Sequence, residues 1–408
     1  MRANIHCEEC GTVHGVDEKV VICPCGKGLA EVRFEEIPRL TWDTFSGRSW
    51  GVWRYKELIP VPDGAEIVSL GEGGTPLVKL VRGPTRYAYL KFEGANPTGS
   101  FKDRGMTVAT TVAKYLGVRA VVCASTGNTS SSMSAYAARA GLRPIIILPE
   151  GKVARGKLSQ AILHGATIVH VKGNFDDALK AAVEVSREGL AYLMNSINPW
   201  RIEGQKTVAF EILEEMRSVD WIVLPVGNAG NISALWKGLK ELHAAGLIDQ
   251  LPRLAGIQAS GAAPLAKAFK RGAEEPDFVD KPETVATAIR IGRPVSWKRA
   301  MRAVRESGGV FEEVSDEEIL EGQRELARVE GIGVEPASAA AYAGLKKLVD
   351  MGIIGKDERV AVIATGHALK DPEVASSHPT PSLTVDVADV VAVVRELVSD
   401  QASLQQKL

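Results

Sequence analysis

Residues 96–105 of the chain read Asn96-Pro97-Thr98-Gly99-Ser100-Phe101-Lys102-Asp103-Arg104-Gly105. Pro97 and Gly99 break regular structure, so Lys102 lies where a turn leads into a helix. Apolar residues at helical spacing between residues 106 and 115 predict that helix. The segment therefore presents one lysine amine at the start of a helix.

The ends of this helix are also marked in the sequence. Ser100 is the predicted N-cap, and Gly117 marks the C-terminal end. A lysine in the first turn lies at the positive end of the helix dipole, which lowers the cost of losing its proton. Neutral lysine amines form Schiff bases with carbonyl cofactors. The alternative is an ordinary solvated lysine at a helix start, and the position of Lys102 by itself favours this alternative.

Composition narrows the class of protein. The chain has 408 residues, of which 45% are hydrophobic and 24% charged, enough for two or three domains. A net charge of -1 gives no indication of a nucleic-acid surface. No apolar run is long enough to span a bilayer, and residues 1–6 lack the apolar core of a signal peptide. We expect a cytoplasmic protein with neither nucleic-acid nor membrane partners.

Strand and helix patterns alternate along most of the chain. Predicted strands cover residues 86–93, 118–124, 144–148, 166–171, 220–225 and 359–364. Predicted helices cover residues 129–140, 157–163 and 176–188, and a short strand and a closing helix are expected within residues 382–398. This alternation predicts an α/β fold with parallel sheets, which bind ligands beyond the carboxyl ends of their strands.

Two loops at predicted strand ends have the composition of anion sites. Residues 125–131, Ser-Thr-Gly-Asn-Thr-Ser-Ser, offer hydroxyl groups and a helix N-terminus to a carboxylate. The alternative is ordinary helix capping by serine or threonine. Residues 226–231, Val-Gly-Asn-Ala-Gly-Asn, turn backbone N–H groups toward a phosphate, unless the loop is simply a tight turn.

A third polar segment and a late strand end complete the pattern. Residues 195–207 concentrate amide and hydroxyl donors with one arginine, a combination that suits a dianionic phosphate ester, although a polar interdomain loop is the alternative. Thr365 follows the strand at residues 359–364 and supplies a neutral hydroxyl.

The lysine segment, the Ser-x-Gly-Asn loop and the glycine loop together resemble the fold type II pyridoxal-phosphate enzymes. Within that group, residues 71–77 (Gly-Glu-Gly-Gly-Thr-Pro-Leu), 195–207 and 365–372 (Thr-Gly-His-Ala-Leu-Lys-Asp-Pro) resemble the threonine synthases. The resemblance extends from about residue 71 to residue 372.

The resemblance implies a role for each candidate site residue. Lys102 is the expected catalytic residue and binds pyridoxal 5'-phosphate. The other expected cofactor-binding residues are Asn128, Gly227, Asn228, Ala229, Gly230, Asn231 and Thr365. The expected substrate-binding residues are Ser125, Thr126 and Thr129 for the carboxylate, and Asn195, Ser196 and Arg201, with Lys206 as a weaker candidate, for the phosphate.

The resemblance also implies an architecture and a reaction. We expect two doubly wound α/β domains, similar to the tryptophan synthase β fold, in a homodimer. The large domain would comprise residues 35–105, with an N-terminal arm, and 206–408, with a C-terminal tail; residues 106–205 would form the small domain. The implied reaction converts O-phospho-L-homoserine and water to L-threonine and phosphate. A cysteate synthase-like enzyme using O-phosphoserine and sulfite, or a non-catalytic ligand sensor, is the alternative.

Four of the five cysteines lie near the N-terminus, as Cys7, Cys10, Cys23 and Cys25. Paired cysteines on glycine-containing turns can place four thiolates around a structural zinc ion. The second pair has one intervening residue where two are usual. Residues 1–34 are therefore predicted to form a zinc-ribbon-like knuckle, with a vestigial, metal-free knuckle as the alternative.

Overall fold

The computed structural model describes residues 3–23, 25–26, 28–151, 158–380 and 382–405. The chain forms two compact units, Met1–Ala375 and Ser376–Leu408. None of the described helices is both long and apolar enough to cross a bilayer.

The strands of the described residues all belong to the first unit. They are β1 (Ala3–Cys7), β2 (Val13–Gly15), β3 (Ala30–Phe34), β4 (Leu77–Lys79), β5 (Tyr87–Phe92), β6 (Ala120–Cys123), β7 (Arg143–Pro149), β8 (Thr167–Val171), β9 (Tyr192–Leu193), β10 (Trp221–Pro225), β11 (Arg253–Ala259), β12 (Val310–Val314) and β13 (Arg359–Ala364).

The α-helices of the described residues are α1 (Lys102–Tyr115), α2 (Asn128–Ala140), α3 (Ser159–Leu163), α4 (Phe175–Arg187), α5 (Pro199–Gln205), α6 (Thr207–Met216), α7 (Gly230–Ala244), α8 (Pro264–Lys270), α9 (Trp297–Glu306), α10 (Asp316–Val329), α11 (Pro336–Asp350), α12 (Pro372–Ser376) and α13 (Val390–Gln405). In the second unit, a 3₁₀ turn at Val387–Asp389 leads into α13.

The larger sheet has the strand order β12-β11-β10-β13-β5-β4 and is parallel except for the edge strand β4. Alternate side chains of its central strands enter two different apolar cores. Ile222 and Leu224 pack with α6 to α9, whereas Trp221 and Val223 pack with α10 and α11. Helices therefore cover both faces, as a sheet with two buried faces requires.

The smaller sheet is parallel throughout and has the order β8-β7-β6-β9. Its core includes residues of α1 to α4 and also the knuckle residues Ile5 and Val32. Strands β1 to β3 of the knuckle form a separate antiparallel sheet in the order β2-β1-β3. The predicted α/β class with two wound sheets and an N-terminal knuckle is confirmed. The proposed domain boundaries at residues 106 and 205 remain a prediction.

Helices α1 and α5 touch through two glycines. A Cβ atom on Gly204 would lie 1.7 Å from the carbonyl oxygen of Arg104, and one on Gly105 would lie 2.9 Å from that of Arg201. Both distances are shorter than real Cβ contacts. The two backbones therefore approach as closely as they do because neither glycine has a side chain.

Two local expectations need correction, and a third falls partly outside the described residues. The N-cap of α1 is Phe101, not Ser100, whose buried hydroxyl has no hydrogen-bond partner among the described residues. The tail at residues 382–405 contains a 3₁₀ turn and a helix but no strand in the described part. The helix predicted from Lys157 is observed as α3, and Lys157 lies outside the described residues.

Candidate active site

The loop before α1 is held against the end of β13. The Phe101 N–H donates to the Thr365 carbonyl oxygen at 3.0 Å, and the His367 N–H donates to the Gly99 carbonyl oxygen at 2.9 Å. Because these bonds join two distant segments, they place Lys102 beside Thr365. Two residues singled out from the sequence are thus brought together by the backbone.

The Lys102 amine is strongly perturbed. Burial lowers its pKa to about 7, the positive charge of Arg201 acts in the same direction, and Glu335 opposes both. The Nζ atom lies 3.9 Å from the centroid of the Phe101 ring. Sequence reasoning invoked the helix dipole, whereas burial is the largest cause. A large fraction of this amine is neutral at neutral pH and is therefore nucleophilic.

Glu335 is a site residue that the sequence analysis missed. Its carboxylate accepts hydrogen bonds from Asn128 Nδ2 at 3.0 and 3.3 Å and from Thr365 Oγ1 at 3.4 Å. Thr365 Oγ1 also lies 3.0 Å from Ser338 Oγ. Burial raises the pKa of Glu335, although Asn128 and the charge of Lys102 oppose that rise. The buried Glu335 carboxylate therefore accepts hydrogen bonds from Asn128 and Thr365, and its charge raises the pKa of Lys102.

The Gly227–Asn231 loop leads from β10 into α7. Ala229, the N-cap of α7, has a φ of 64° in the left-handed region and provides no side-chain cap. A Cβ on Gly230 would meet nothing within 4 Å, so there is open space at the first turn. Both amide atoms of the buried Asn231 side chain lack hydrogen-bond partners among the described residues. An uncapped helix start beside an unpartnered amide has the hydrogen-bond donors that an anion needs.

The Asn195–Arg201 segment connects the two sheets' strand ends. The Asn195 side chain pairs with both backbone groups of Ala124, at 3.0 Å each, so it fixes the loop to the end of β6. Ser196 Oγ accepts a hydrogen bond from Asn228 Nδ2 at 3.2 Å. The segment is therefore tied both to the hydroxyl loop and to the Gly227–Asn231 loop.

Arg201 is buried, and no carboxylate of the described residues balances its charge. Its Nη1 donates to the Met194 carbonyl oxygen at 3.1 Å, and its Nε has no hydrogen-bond partner among the described residues. Among the described residues, Arg201 also makes no ion pair. Burial lowers its pKa to about 10. A buried guanidinium is costly unless it is paired, so this one is suited to an anionic ligand.

The hydroxyl loop lies at the start of α2. Ser125, Thr126 and Thr129 are half-buried there. The N-cap of α2 is Gly127, which makes no side-chain cap bond. A glycine therefore occupies the N-cap position that the alternative gave to serine or threonine, and Ser125 Oγ accepts a hydrogen bond from the N–H of this glycine at 3.3 Å.

Lys206, the weaker phosphate candidate, has a different position. Its Nζ lies 2.5 Å from Glu203 Oε2 and 2.6 Å from Glu241 Oε2, and its side chain is fully buried. Two carboxylates already compensate its charge. Lys206 therefore stabilises the contact between α5 and α7 and is not free to bind substrate.

Asp103 and Arg104 secure the lysine from the other side of the loop. Asp103 accepts hydrogen bonds from Thr98 Oγ1 and Ser132 Oγ, both at 2.6 Å, and burial raises its pKa to about 6. Arg104 pairs with Glu93 at 2.6 Å and with Glu211 at 2.7 Å. These contacts join the loop to α2 and α6 and hold the direction of α1.

The arrangement fits pyridoxal phosphate on three observations. The neutral Lys102 amine suits an aldehyde, and the unpartnered Asn231 amide at the uncapped start of α7 suits a phosphate. The Thr365 hydroxyl, beside Ser338, suits a ring nitrogen that is weakly protonated. Asn128 donates to the same buried Glu335 carboxylate as Thr365 does, which keeps these two side chains in one site.

The four cysteines of the knuckle also converge. The Sγ atoms of Cys7, Cys10, Cys23 and Cys25 all lie within 4.8 Å of one another. Two of the separations are 3.6 Å (Cys7–Cys25) and 3.5 Å (Cys10–Cys23). Four thiolates around zinc at about 2.3 Å would be separated by roughly 3.8 Å. The donor set and spacing therefore fit a closed, structural zinc site.

Residues 68–366 match the protein family described as "Pyridoxal-phosphate dependent enzyme". The matched range contains the lysine segment, the anion loops and Thr365. A parallel α/β fold with a buried lysine, its pKa lowered to about 7, at the strand ends is what this class requires. The chain is accordingly a pyridoxal-phosphate-dependent enzyme of fold type II.

Known relatives narrow the class. The chain is 54% identical to the threonine synthase of Methanocaldococcus jannaschii, over 90% of this chain and 93% of the relative. It is 52% identical to that of Mycobacterium tuberculosis, over 84% and 94%. The Escherichia coli threonine synthase structure shares the fold with a TM-score of 0.73 at 17% identity, covering 95% and 94% of the two chains. The chain belongs to the threonine synthase family.

Proposed function

We propose that the chain is a cytoplasmic, homodimeric lyase that converts O-phospho-L-homoserine and water to L-threonine and phosphate. The observation that carries the choice of a phosphorylated substrate is Arg201. A buried guanidinium without an ion pair in the described part of the chain, at the strand ends beside Lys102, needs an anion brought by a ligand.

The binding residues divide between cofactor and substrate. Residues 227–231 hold the cofactor phosphate, Asn128 its ring hydroxyl and Thr365 its ring nitrogen. The hydroxyl groups of Ser125, Thr126 and Thr129 bind the substrate carboxylate. Ser196 and Arg201 bind the substrate phosphate, and Asn195 positions that loop through Ala124.

When bound, pyridoxal phosphate withdraws electrons from the substrate and makes its carbon-bound protons acidic. Lys102 Nζ takes the proton from the substrate Cα, releases it, and then takes a proton from Cβ as phosphate leaves from Cγ. A proton is then delivered to Cγ, water adds its hydroxyl group at Cβ and gives its other proton to the released phosphate, and the remaining proton returns to Cα. Because one positioned amine performs these transfers, it contributes about 10²–10⁴-fold to the rate. The Arg201 charge stabilises the departing phosphate.

The test measures phosphate release with phosphohomoserine, alongside phosphoserine plus sulfite. The wild type should release phosphate from phosphohomoserine and show the absorbance of a lysine-bound cofactor. Lys102→Ala should lose both. The matched control is Lys114→Ala on the same helix, which removes only an exposed ion pair with Glu66 and should retain both.

Three outcomes would contradict the proposal. Preference for phosphoserine plus sulfite would indicate the cysteate synthase-like reaction. A wild-type protein that stays colourless with added pyridoxal phosphate would indicate a ligand sensor. Turnover by Lys102→Ala would remove Lys102 from its assigned role. Sedimentation of the purified protein tests the dimer.

A further inference from the structure

Two ion pairs connect the knuckle, defined as the described residues of the range 3–34, to the start of α9. Glu9 pairs with Lys298 at 2.8 Å, and Glu8 pairs with the half-buried Arg299 at 2.9 Å. Arg299 Nη2 also donates to the Ala30 carbonyl oxygen at 3.0 Å. Both basic residues lie in the first turn of α9, so the knuckle holds that end of the helix.

The same end of α9 is hydrogen-bonded to the anion loops. The Val295 N–H donates to Asn228 Oδ1 at 3.1 Å, and the Ser296 N–H donates to the Asn228 carbonyl oxygen at 3.2 Å. Asn228 Nδ2 in turn donates to Ser196 Oγ. One asparagine therefore connects the start of α9 with both phosphate-binding segments.

A second route runs through a cavity of about 220 Å³. Its knuckle wall includes Val21, Ile22 and Leu29, and its opposite wall includes Ile197 and Val295. Ile197 follows Ser196 directly, and Val295 is the residue bonded to Asn228. Across this cavity, the knuckle thus faces the Asn195–Arg201 segment. A shift of either wall would change the volume of the cavity.

The knuckle has little core of its own to resist such a shift. Its buried apolar residues, such as Ile5 and Val32, belong to a core shared with the smaller sheet. Segments of this size usually need a metal ion or disulfides to fix their structure. The four converging thiolates are placed to hold a zinc ion that fixes the two turns carrying Glu8, Glu9 and Ile22.

We propose that one Zn²⁺ bound by Cys7, Cys10, Cys23 and Cys25 fixes the anion loops through the start of α9, so that zinc binding and phosphate binding are thermodynamically coupled. The substrate-phosphate part rests on the proposed function, whereas the metal site does not. Coupling between two sites is reciprocal: the metal raises phosphate affinity by the factor by which phosphate raises metal affinity.

The first experiment replaces zinc by Co²⁺ in the full-length, cofactor-loaded enzyme. One equivalent of Co²⁺ should produce the visible bands of tetrahedral cobalt thiolate, and Cys10→Ser should weaken them. Titration of inorganic phosphate by calorimetry should give an affinity about 5–150-fold higher with metal than without, the usual range of coupling. Absence of the thiolate bands, or equal phosphate affinities, would overturn the proposal.

A second variant keeps the proposal testable if the metal-free protein unfolds. Arg299→Met leaves all four cysteines in place but removes the contacts with Glu8 and Ala30. It should keep the cobalt spectrum and lose several-fold in phosphate affinity. Arg271→Met, which removes an exposed ion pair with Asp277, is the matched control and should change neither.

An unchanged phosphate affinity in Arg299→Met would refute the coupling. The outcomes also separate this proposal from the proposed function. A wild-type enzyme that binds cobalt and phosphate cooperatively but does not turn over phosphohomoserine would refute the function and leave the coupling intact.

Discussion

Arg104 and Arg201 are both buried arginines, and their surroundings differ in one respect. Arg104 is 0% exposed and Arg201 is 1% exposed. The Arg104 guanidinium contacts two carboxylates, those of Glu93 and Glu211. The Arg201 guanidinium contacts a single backbone carbonyl, and no carboxylate pairs with it in the described residues. The two arginines are therefore almost equally buried, but within the described residues carboxylates balance only the charge of Arg104.

Their ionisation shows the same contrast. Burial would lower the pKa of Arg104, but Glu211 and Glu93 outweigh it and raise that pKa above its ordinary value. Burial lowers the pKa of Arg201 to about 10. A compensated buried charge belongs to the framework, whereas an uncompensated one is retained for a ligand. We infer that Arg104 supports the fold and Arg201 supports the reaction.

The largest expected effect is on stability, in Arg104→Met. Removing this guanidinium leaves Glu93 buried without its counter-charge, with hydrogen bonds from Thr75 and Asn96 alone among the described residues. Glu211 retains Lys91 at 2.9 Å. Breaking such a network costs about 3–5 kcal/mol in the free energy of unfolding. Urea unfolding measures it, and Arg271→Met should stay within about 0.5 kcal/mol of the wild type. A loss below about 1 kcal/mol for Arg104→Met would contradict the framework role.

The second effect is on activity, in Arg201→Met. The free energy of unfolding should stay unchanged or rise, because a buried charge is replaced by an apolar side chain. The kcat/KM for phosphohomoserine should fall about 30–1,000-fold, equivalent to 2–4 kcal/mol of lost charged contact. Steady-state kinetics and urea unfolding together test this.

Two further observations sharpen the second prediction. Arg201→Lys keeps the charge and should recover part of the activity, although it loses the two-pronged geometry of the guanidinium. If Arg201→Met instead lost as much stability as Arg104→Met, the two arginines would share one role and the contrast would fail.

The smallest effect is a shift in pH dependence. Capture of pyridoxal phosphate by the cofactor-free enzyme requires the neutral Lys102 amine. The rate of capture should therefore rise with pH, with a midpoint at about 7. Arg201→Met removes a charge that lowers the Lys102 pKa, so the midpoint should move up. Glu335→Gln removes a charge that raises this pKa, so the midpoint should move down.

The rate of the absorbance change on adding the cofactor, recorded across pH, measures these midpoints. Lys114→Ala should leave the midpoint unchanged, because its ion pair is exposed and lies at the other end of α1. Shifts of the same sign in both site variants would show that their charges do not act on Lys102 as inferred.

Much of the fold could be predicted because its signals are local. Apolar runs between glycine and proline residues marked β5, β10 and β13, which are parallel strands of one sheet, so their ends meet at one edge. Lys102 follows β5 and Thr365 follows the neighbouring β13, and the backbone bond from Phe101 to Thr365 completes their approach. The same local signals mislocated the N-cap of α1, because the loop is held by backbone bonds to β13 that no sequence window contains.

The roles of Glu335 and Lys206 could not be predicted from the sequence, because they depend on contacts between distant residues. Glu335 precedes Pro336, which marks a helix start, but its contact with Asn128 joins residues 207 positions apart. Lys206, the weaker phosphate candidate, and Arg201 are both cations of one polar segment. Only the positions of Glu203 and Glu241 in three dimensions separate the neutralised lysine from the uncompensated arginine.

The glycine contact between α1 and α5 has a consequence for engineering. Lys102 precedes Gly105 by three positions, and Arg201 precedes Gly204 by three, so each functional side chain lies one turn before the point where the helices touch. We infer that this contact sets the distance between Lys102 and Arg201, and with it the span between the reacting carbon and the phosphate group of the proposed substrate. Any side chain at Gly105 or Gly204 would push the two helices apart, so random libraries selected for activity on the present substrate should return both glycines. Acceptance of a longer phosphate ester should instead require the two helices to be moved apart together with their loops.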